Sequence, residues 1–261
     1  MRVILMSLFA GVVGMGLGGL LTAIFGKRTD KMISIFLSFA GGVMLSVVFL
    51  ELIPEAVGHS SVEVTIIGLI AGVVMVLLLH NLIDRISFAG KAMSKLHESY
   101  TEYFHADDML ARRTSLLRSG MIMLFAIGLH NIPEGLALGA AGHHDAGLGF
   151  SLAIIIGLHN IPEGMAVSAP LVAGGLSRLK AITLTLLIGA TTLLGAVTGL
   201  LIGGISDTAV ALSFSIAGGA MLYVVLSEIL PQSIVSSKDR IPTVFALVGI
   251  LVGMLFTVIF G

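Results

Sequence analysis

Cysteine and tryptophan are absent from these 261 residues, and charged side chains make up only 11% of the chain. Without cysteine there is no disulfide framework, no zinc finger and no thiolate nucleophile. Ordinary globular proteins carry roughly 25% charged residues. A chain this poor in charge and 56% hydrophobic cannot cover itself with a wetted surface. It needs lipid as its solvent. A formal net charge of −1 excludes a basic nucleic-acid binder, which would carry a Lys/Arg-rich face. Six prolines beside 33 glycines exclude a proline-rich low-complexity chain.

What the sequence does contain is a series of long apolar runs. A helix needs about 20 mostly apolar residues to cross a bilayer, and eight runs qualify, at about 3–25, 32–53, 63–84, 119–140, 147–170, 179–203, 208–231 and 241–260. They predict an all-α integral membrane protein, one transmembrane domain over 1–261 with a single long loop, 85–118, between spans 3 and 4. The first run reads as a span and not as a cleaved leader, because it is too long and no A-x-A site follows it.

Cation placement predicts orientation. Lys27, Arg28 and Lys31 lie between spans 1 and 2, and Arg85, Lys91, Lys95, Arg112, Arg113 and Arg118 lie in the long loop. Arg178 and Lys180 lie at the start of span 6, and Lys238 and Arg240 precede span 8. Thirteen of the 14 cations therefore fall on one side, with Arg2 alone on the other. The positive-inside rule makes that side cytoplasmic and puts both termini outside. The outward loops carry Glu55, His59, Glu63, His143, His144, Asp145 and Asp207 without a compensating cation. A mouth of that sign concentrates cations, although outer loops need polar residues in any case.

Two segments repeat. GLHNIPEG stands at 128–135 and again, unchanged, at 157–164, on consecutive spans that must run in opposite directions. AGGVMLSVVFLELIP at 40–54 matches AGGAMLYVVLSEILP at 217–231 in nine of 15 positions, again on antiparallel spans. The economical layout is a 3+2+3 inverted-repeat arrangement, spans 1–3 and 6–8 flanking spans 4 and 5. Inverted repeats about a midplane site are a signature of alternating-access transporters.

In each GLHNIPEG copy, His and Glu stand four residues apart and share a helix face: His130 with Glu134, His159 with Glu163. At 1.5 Å per residue each His lies about 17 Å into its span, near the centre of a ~30 Å core. Carboxylates at that depth mark a functional site by default. Apart from Lys180 at the very start of the sixth run, no Lys or Arg lies within the eight runs to neutralise them, so they are protonated or share a cation. Pro133 and Pro162 weaken the backbone bonding of Leu129 and Leu158, carbonyls that can line a cavity or meet an ion. Gly135 and Gly164 permit close helix approach. Two imidazoles, two carboxylates and the Asn131 and Asn160 amides form a mixed N/O donor set that suits zinc first, and also iron, manganese, cobalt or cadmium.

At these residues the chain resembles the ZIP family of divalent-metal transporters, specifically its bacterial ZupT-like branch. The resemblance spans the whole chain, through the eight spans, the outward termini, the loop after span 3 and the paired His-Asn-x-Pro-Glu-Gly motifs. It implies a metal site between spans 4 and 5, a homodimer, and movement of metal into the cytoplasm. It also implies motion of spans 1, 4, 5 and 6 against spans 2, 3, 7 and 8. By motif position His130, Glu134 and Glu163 are implied as primary ligands, Asn131, His159 and Asn160 as ligands or neighbours, and Met44 as an additional thioether contact. One departure stands out: some members carry a span 6 glutamate for a second metal, where this chain has Thr192.

Along the pathway, Glu51 near the outer end of span 2 and Glu228 near the inner end of span 7 are candidate entrance and exit residues. His80-Asn81-x-x-Asp84 closes span 3 as a faint echo of the main motif, so His80 and Asp84 join them. In the long loop His97, Glu98, Glu102, His105, Asp107 and Asp108 read as a solvated mixed-charge segment. The leading expectation is a transporter whose divalent metal is substrate and not cofactor, with a bacterial plasma membrane as the default location. The alternative is an intramembrane metal-dependent hydrolase, in which the metal would activate water. No H-E-x-x-H motif supports it.

Overall fold

The computed structural model describes residues 2–25, 29–86, 109–144, 146–202, 206–237 and 239–260. The side chains of 82–86, 109–111, 140, 141, 143, 144, 146, 148, 202 and 260 lie outside that description. Every regular element among the described residues is helical, and eight helices are long and apolar enough to cross a membrane. They are α1 (Arg2–Phe25), α2 (Asp30–His59), α3 (Val62–Ile86) and α4 (Met109–His144), followed by α5 (Ala146–Ala173), α6 (Arg178–Ile202), α7 (Asp207–Ser236) and α8 (Ile241–Phe260). Their outer faces carry residues such as Ile67, Leu78, Leu194, Leu251 and Val258, all exposed. Lipid is the solvent such a face requires.

One boundary differs from the sequence expectation. α4 begins at Met109, well before position 119, so Arg112, Arg113 and Arg118 belong to a helix and not to the loop. Hydropathy marks only the lipid-embedded part of a helix, and the backbone continues where long cationic side chains can reach the interface. Arg112 pairs there with Asp30, the first residue of α2.

The helices pack as two groups. α1, α4, α5 and α6 lie against one another, as do α2, α3, α7 and α8, and the groups meet where α2 touches α5 and α4 touches α7. In lipid there is no hydrophobic drive between helices, so small residues and close backbone contact hold them together. The closest contacts recur in register. Adding 177 to each residue number of α2, Asp30–His59, gives Asp207–Ser236, which is α7. A methyl group at Gly164 would strike the Met15 carbonyl, and one at Gly135 would strike that of Thr192, 177 residues after Met15. Gly42 abuts the Ala246 carbonyl and Gly219 that of Leu69, again related by 177.

Helix ends follow local chemistry. α5 stops in a Schellman turn: Gly175, at φ 110°, lets Leu176 N–H reach the Leu171 carbonyl at 3.0 Å while Gly175 N–H bonds Val172. The start of α7 is capped by the Ser206 hydroxyl, which accepts from Ala209 N–H.

Three helices widen locally into π-turns, at Leu8–Val13, Val48–Leu52 and Val225–Ile229. The last two are again 177 residues apart, and each immediately precedes the turn that holds Pro54 or Pro231. Ile53 N–H reaches the Val48 carbonyl and Leu230 N–H that of Val225, five residues back, which makes room for the proline ring. By contrast α4 and α5 run through Pro133 and Pro162 unbroken.

Candidate metal site

The six polar motif residues converge in the most buried part of the molecule. His130, Asn131, Asn160 and Glu163 are fully buried, and Glu134 and His159 are 1% exposed. The i, i+4 spacing puts each His beside its own Glu, yet the closest approaches cross between helices. His130 Nε2 lies 3.2 Å from Glu163 Oε1 of α5 and 3.9 Å from Glu134 Oε1 of its own helix. His159 Nε2 lies 3.4 Å from Glu134 Oε1. The copies are not equivalent: His130 and Glu163 form a hydrogen bond, whereas neither ring nitrogen of His159 has a partner among the described residues.

One donor atom each from His130, Glu134 and Glu163 lies within 4.8 Å of the others. Zinc takes nitrogen and oxygen ligands at about 2.0–2.2 Å, so a modest contraction would let one ion touch all three. Both Glu134 oxygens, Glu163 Oε2, both Asn131 amide atoms and Asn160 Oδ1 are buried without a hydrogen-bond partner among the described residues. Orphaned acceptors at that density are costly unless a ligand satisfies them. Two carboxylates facing neutral imidazoles match the charge of one divalent ion.

The neighbouring elements complete the picture. Glu51, 7% exposed on the α2 π-turn, interacts electrostatically with His159 and Glu134, and its Oε2 has no hydrogen-bond partner among the described residues. Met44 is fully buried in the apolar core with Met15, Ile127 and Met221. Thr192 on α6 is fully buried, with its hydroxyl unpartnered among the described residues. Glu228, on the α7 π-turn, accepts from Ser119 Oγ at 3.1 Å and lies 3.7 Å from His80 Nδ1. His80 Nε2 is 3.0 Å from Arg118 NH2. Arginine can only donate, so this nitrogen of His80 accepts and its proton sits on Nδ1, toward Glu228. Sequence reasoning missed Ser119 and the role of Arg118; neither carries a motif signal. Asp84 lies on α3, and His143 and His144 at the end of α4, but their side chains lie outside the described residues, as do His97, Glu98, Glu102, His105, Asp107, Asp108 and Asp145 altogether.

At the end of α2 His59 Nε2 is 3.7 Å from Glu55 and Nδ1 is 3.6 Å from Asp207, with the ring stacked on Phe214. The two carboxylates approach opposite ring nitrogens, so they do not converge on one ion.

A family profile described as ZIP Zinc transporter matches residues 84–261. The chain belongs to the ZIP family. A zinc transporter ZupT of Chlorobaculum parvum is 34% identical over 238 residues, covering 87% of this chain and 86% of that protein. One from Chlorobium chlorochromatii is 33% identical, covering 95% and 92%. One from Corynebacterium glutamicum is 32% identical, covering 95% and 94%. This ZIP protein is ZupT-like over nearly its whole length, and it is a multi-pass membrane protein.

Proposed function

We propose that this ZIP protein moves divalent transition-metal cations, zinc foremost, into the cytoplasm by alternating access around the α4–α5 site. Iron, manganese, cobalt and cadmium suit the same donors. The observation that carries the reading is the crossed pairing of His130 with Glu163 and His159 with Glu134, a buried mixed N/O cage with orphaned acceptors. The relatives' names, zinc transporters, support the substrate. All six motif residues belong to the α1/α4/α5/α6 group, so the ion would travel with that group past α2 and α7. The recurring glycine contacts at the 177-residue offset support the inverted 3+2+3 layout. Ser119–Glu228 and Arg118–His80 join the two groups and would have to part when they move. With Thr192 in place of a carboxylate on α6, one divalent ion neutralises the site and a second would not. The split of Lys and Arg supports a cell-membrane protein with both termini outside, and family resemblance supports a homodimer. The hydrolase reading gains no motif from the structure.

The test is zinc uptake into proteoliposomes by the parent and by Glu163→Ala. Saturable flux in the parent that disappears in the variant is expected. Equal uptake by the variant sinks the site, and an ohmic current would replace transport by a pore.

A further inference from the structure

The two asparagines of the duplicated motif are identical in sequence context and different in bonding. Asn160 Nδ2 donates to the Ala10 carbonyl of α1 at 2.9 Å, and the bond is buried. Asn131 has no hydrogen-bond partner at either amide atom among the described residues. The cause lies in α1. At the end of the π-turn Leu8–Val13, Gly14 N–H is shared between the Gly11 and Phe9 carbonyls, three and five residues back, and skips Ala10, four residues back. The Ala10 carbonyl thus lacks its usual donor four residues on, which leaves it open to a donor from a side chain. Asn160 supplies the donor. The position 177 residues after Ala10 is Leu187, in α6, which runs as an unbroken α-helix from Arg178 to Ile202. It carries no π-turn, and Asn131 has no hydrogen-bond partner among the described residues.

Close approach makes the contact possible. A methyl on Gly14 would stand 2.7 Å from the Gly157 carbonyl oxygen and 2.9 Å from Asn160 Cβ. With its nitrogen committed, Asn160 can offer only Oδ1, which is buried and unpartnered, one residue from His159 and three from Glu163. We propose that Asn160 is the positioning residue of the site, locked by the carbonyl that the α1 π-turn releases, while Asn131 is the adaptable partner that turns to the ion. This rests on the transport reading above. The clamp fixes the register of α5 on α1 and the direction of one amide oxygen. Its loss should therefore alter which ion size fits as well as how tightly the helices hold.

The test uses the full chain with three substitutions: Asn160→Asp, Asn131→Asp and Gly14→Ala. Two measurements are made on each: thermal unfolding in metal-free detergent, and KM for zinc and cadmium in proteoliposomes. An ionised aspartate at 160 keeps an oxygen but has no proton to donate to Ala10, whereas the same charge at 131 breaks no bond among the described residues. Expected are a lowered metal-free melting temperature and a rise of about tenfold in zinc KM for Asn160→Asp, the cost of a buried acceptor left unsatisfied. Its zinc-to-cadmium KM ratio should also shift. Asn131→Asp should leave the metal-free melting temperature unchanged. Gly14→Ala, which adds no charge, should shift the KM ratio in the direction of Asn160→Asp, and it decides the matter if that variant fails to fold. Equal behaviour of the two aspartate variants overturns the proposal. So does a lowered melting temperature with an unmoved KM ratio, which is what a merely structural bond would give. A parent without saturable uptake defeats the transport reading instead, and the metal-free melting comparison still judges the clamp.

Discussion

Residues 40–54 and 217–231 share nine of 15 identities, the same π-turn, the same following proline and a buried glutamate, yet Glu51 and Glu228 have different partners. Glu51 interacts electrostatically with His159 and Glu134, with one oxygen unsatisfied among the described residues. Glu228 is held by Ser119, with His80 and behind it Arg118 close by. Duplication reproduces the backbone and delivers a carboxylate to the same turn. What each carboxylate meets depends on the helix opposite. α4 places Ser119 against α7 and Arg118 against α3, while α5 packs against α2. One glutamate keeps an oxygen without a hydrogen-bond partner among the described residues, and the other is engaged by the protein itself.

The sharpest way to break this contrast is to remove each charge in turn. Glu51→Gln should raise zinc KM about 10- to 100-fold, the scale of losing a bond to a charged group. Glu228→Gln keeps an oxygen for Ser119 and should act mainly on Vmax, because it loosens a contact between the two helix groups. Identical KM and Vmax profiles in a proteoliposome assay would erase the distinction.

A second test asks how far the two copies are equivalent in packing. Gly164→Ala and Gly135→Ala each drive a methyl into a backbone carbonyl and should cost about 1–3 kcal/mol by overpacking, in similar amounts. Gly58→Ala is the control, since nothing lies within 4 Å of a methyl there. Thermal unfolding in detergent would check all three, and unequal losses at 135 and 164 would show that the copies have diverged in packing too.

The smallest effect concerns the starts of α8 and α3. Asp239 accepts from Ser237 Oγ at 2.7 Å and from Ile241 N–H at 2.9 Å, and these bonds hold its carboxyl below the ordinary value of 3.8. A depressed carboxyl stabilises the fold above its unfolded value, and that contribution is lost as pH falls through the folded one. Asp239→Ala should lower the melting temperature slightly at neutral pH, and the difference should vanish as the medium is acidified well below 3.8. At the start of α3 the neutral Ser61 hydroxyl accepts from Val64 N–H, so the small loss from Ser61→Ala should persist at every pH. Melting curves across pH would separate the two caps.

Much of the molecule was legible in the residues. The eight helices follow from apolar length, and the site residues follow from ionisable side chains placed where lipid forbids them unless they serve a purpose. The start of α4 was not legible, because Arg112, Arg113 and Arg118 interrupt the hydropathy without interrupting the helix. The π-turns at 48–52 and 225–229 had a signal, the proline that follows each, whereas the prolines that drew attention at 133 and 162 lie in unbroken helices. The turn at 8–13 has no such marker.

The sequence by itself determined that the chain needs lipid, where its helices lie, and that two His-Glu pairs share a depth. A helix's rise and face periodicity are set by residues a few positions apart, so a linear reading reaches them. Tertiary structure alone decided that His130 turns to Glu163 and His159 to Glu134, that Arg118 and His80 stand behind Glu228, and that Asn160 holds Ala10 while Asn131 has no hydrogen-bond partner among the described residues. Those choices join residues up to 150 positions apart, and identical motifs choose differently because the helix facing each copy presents a different backbone.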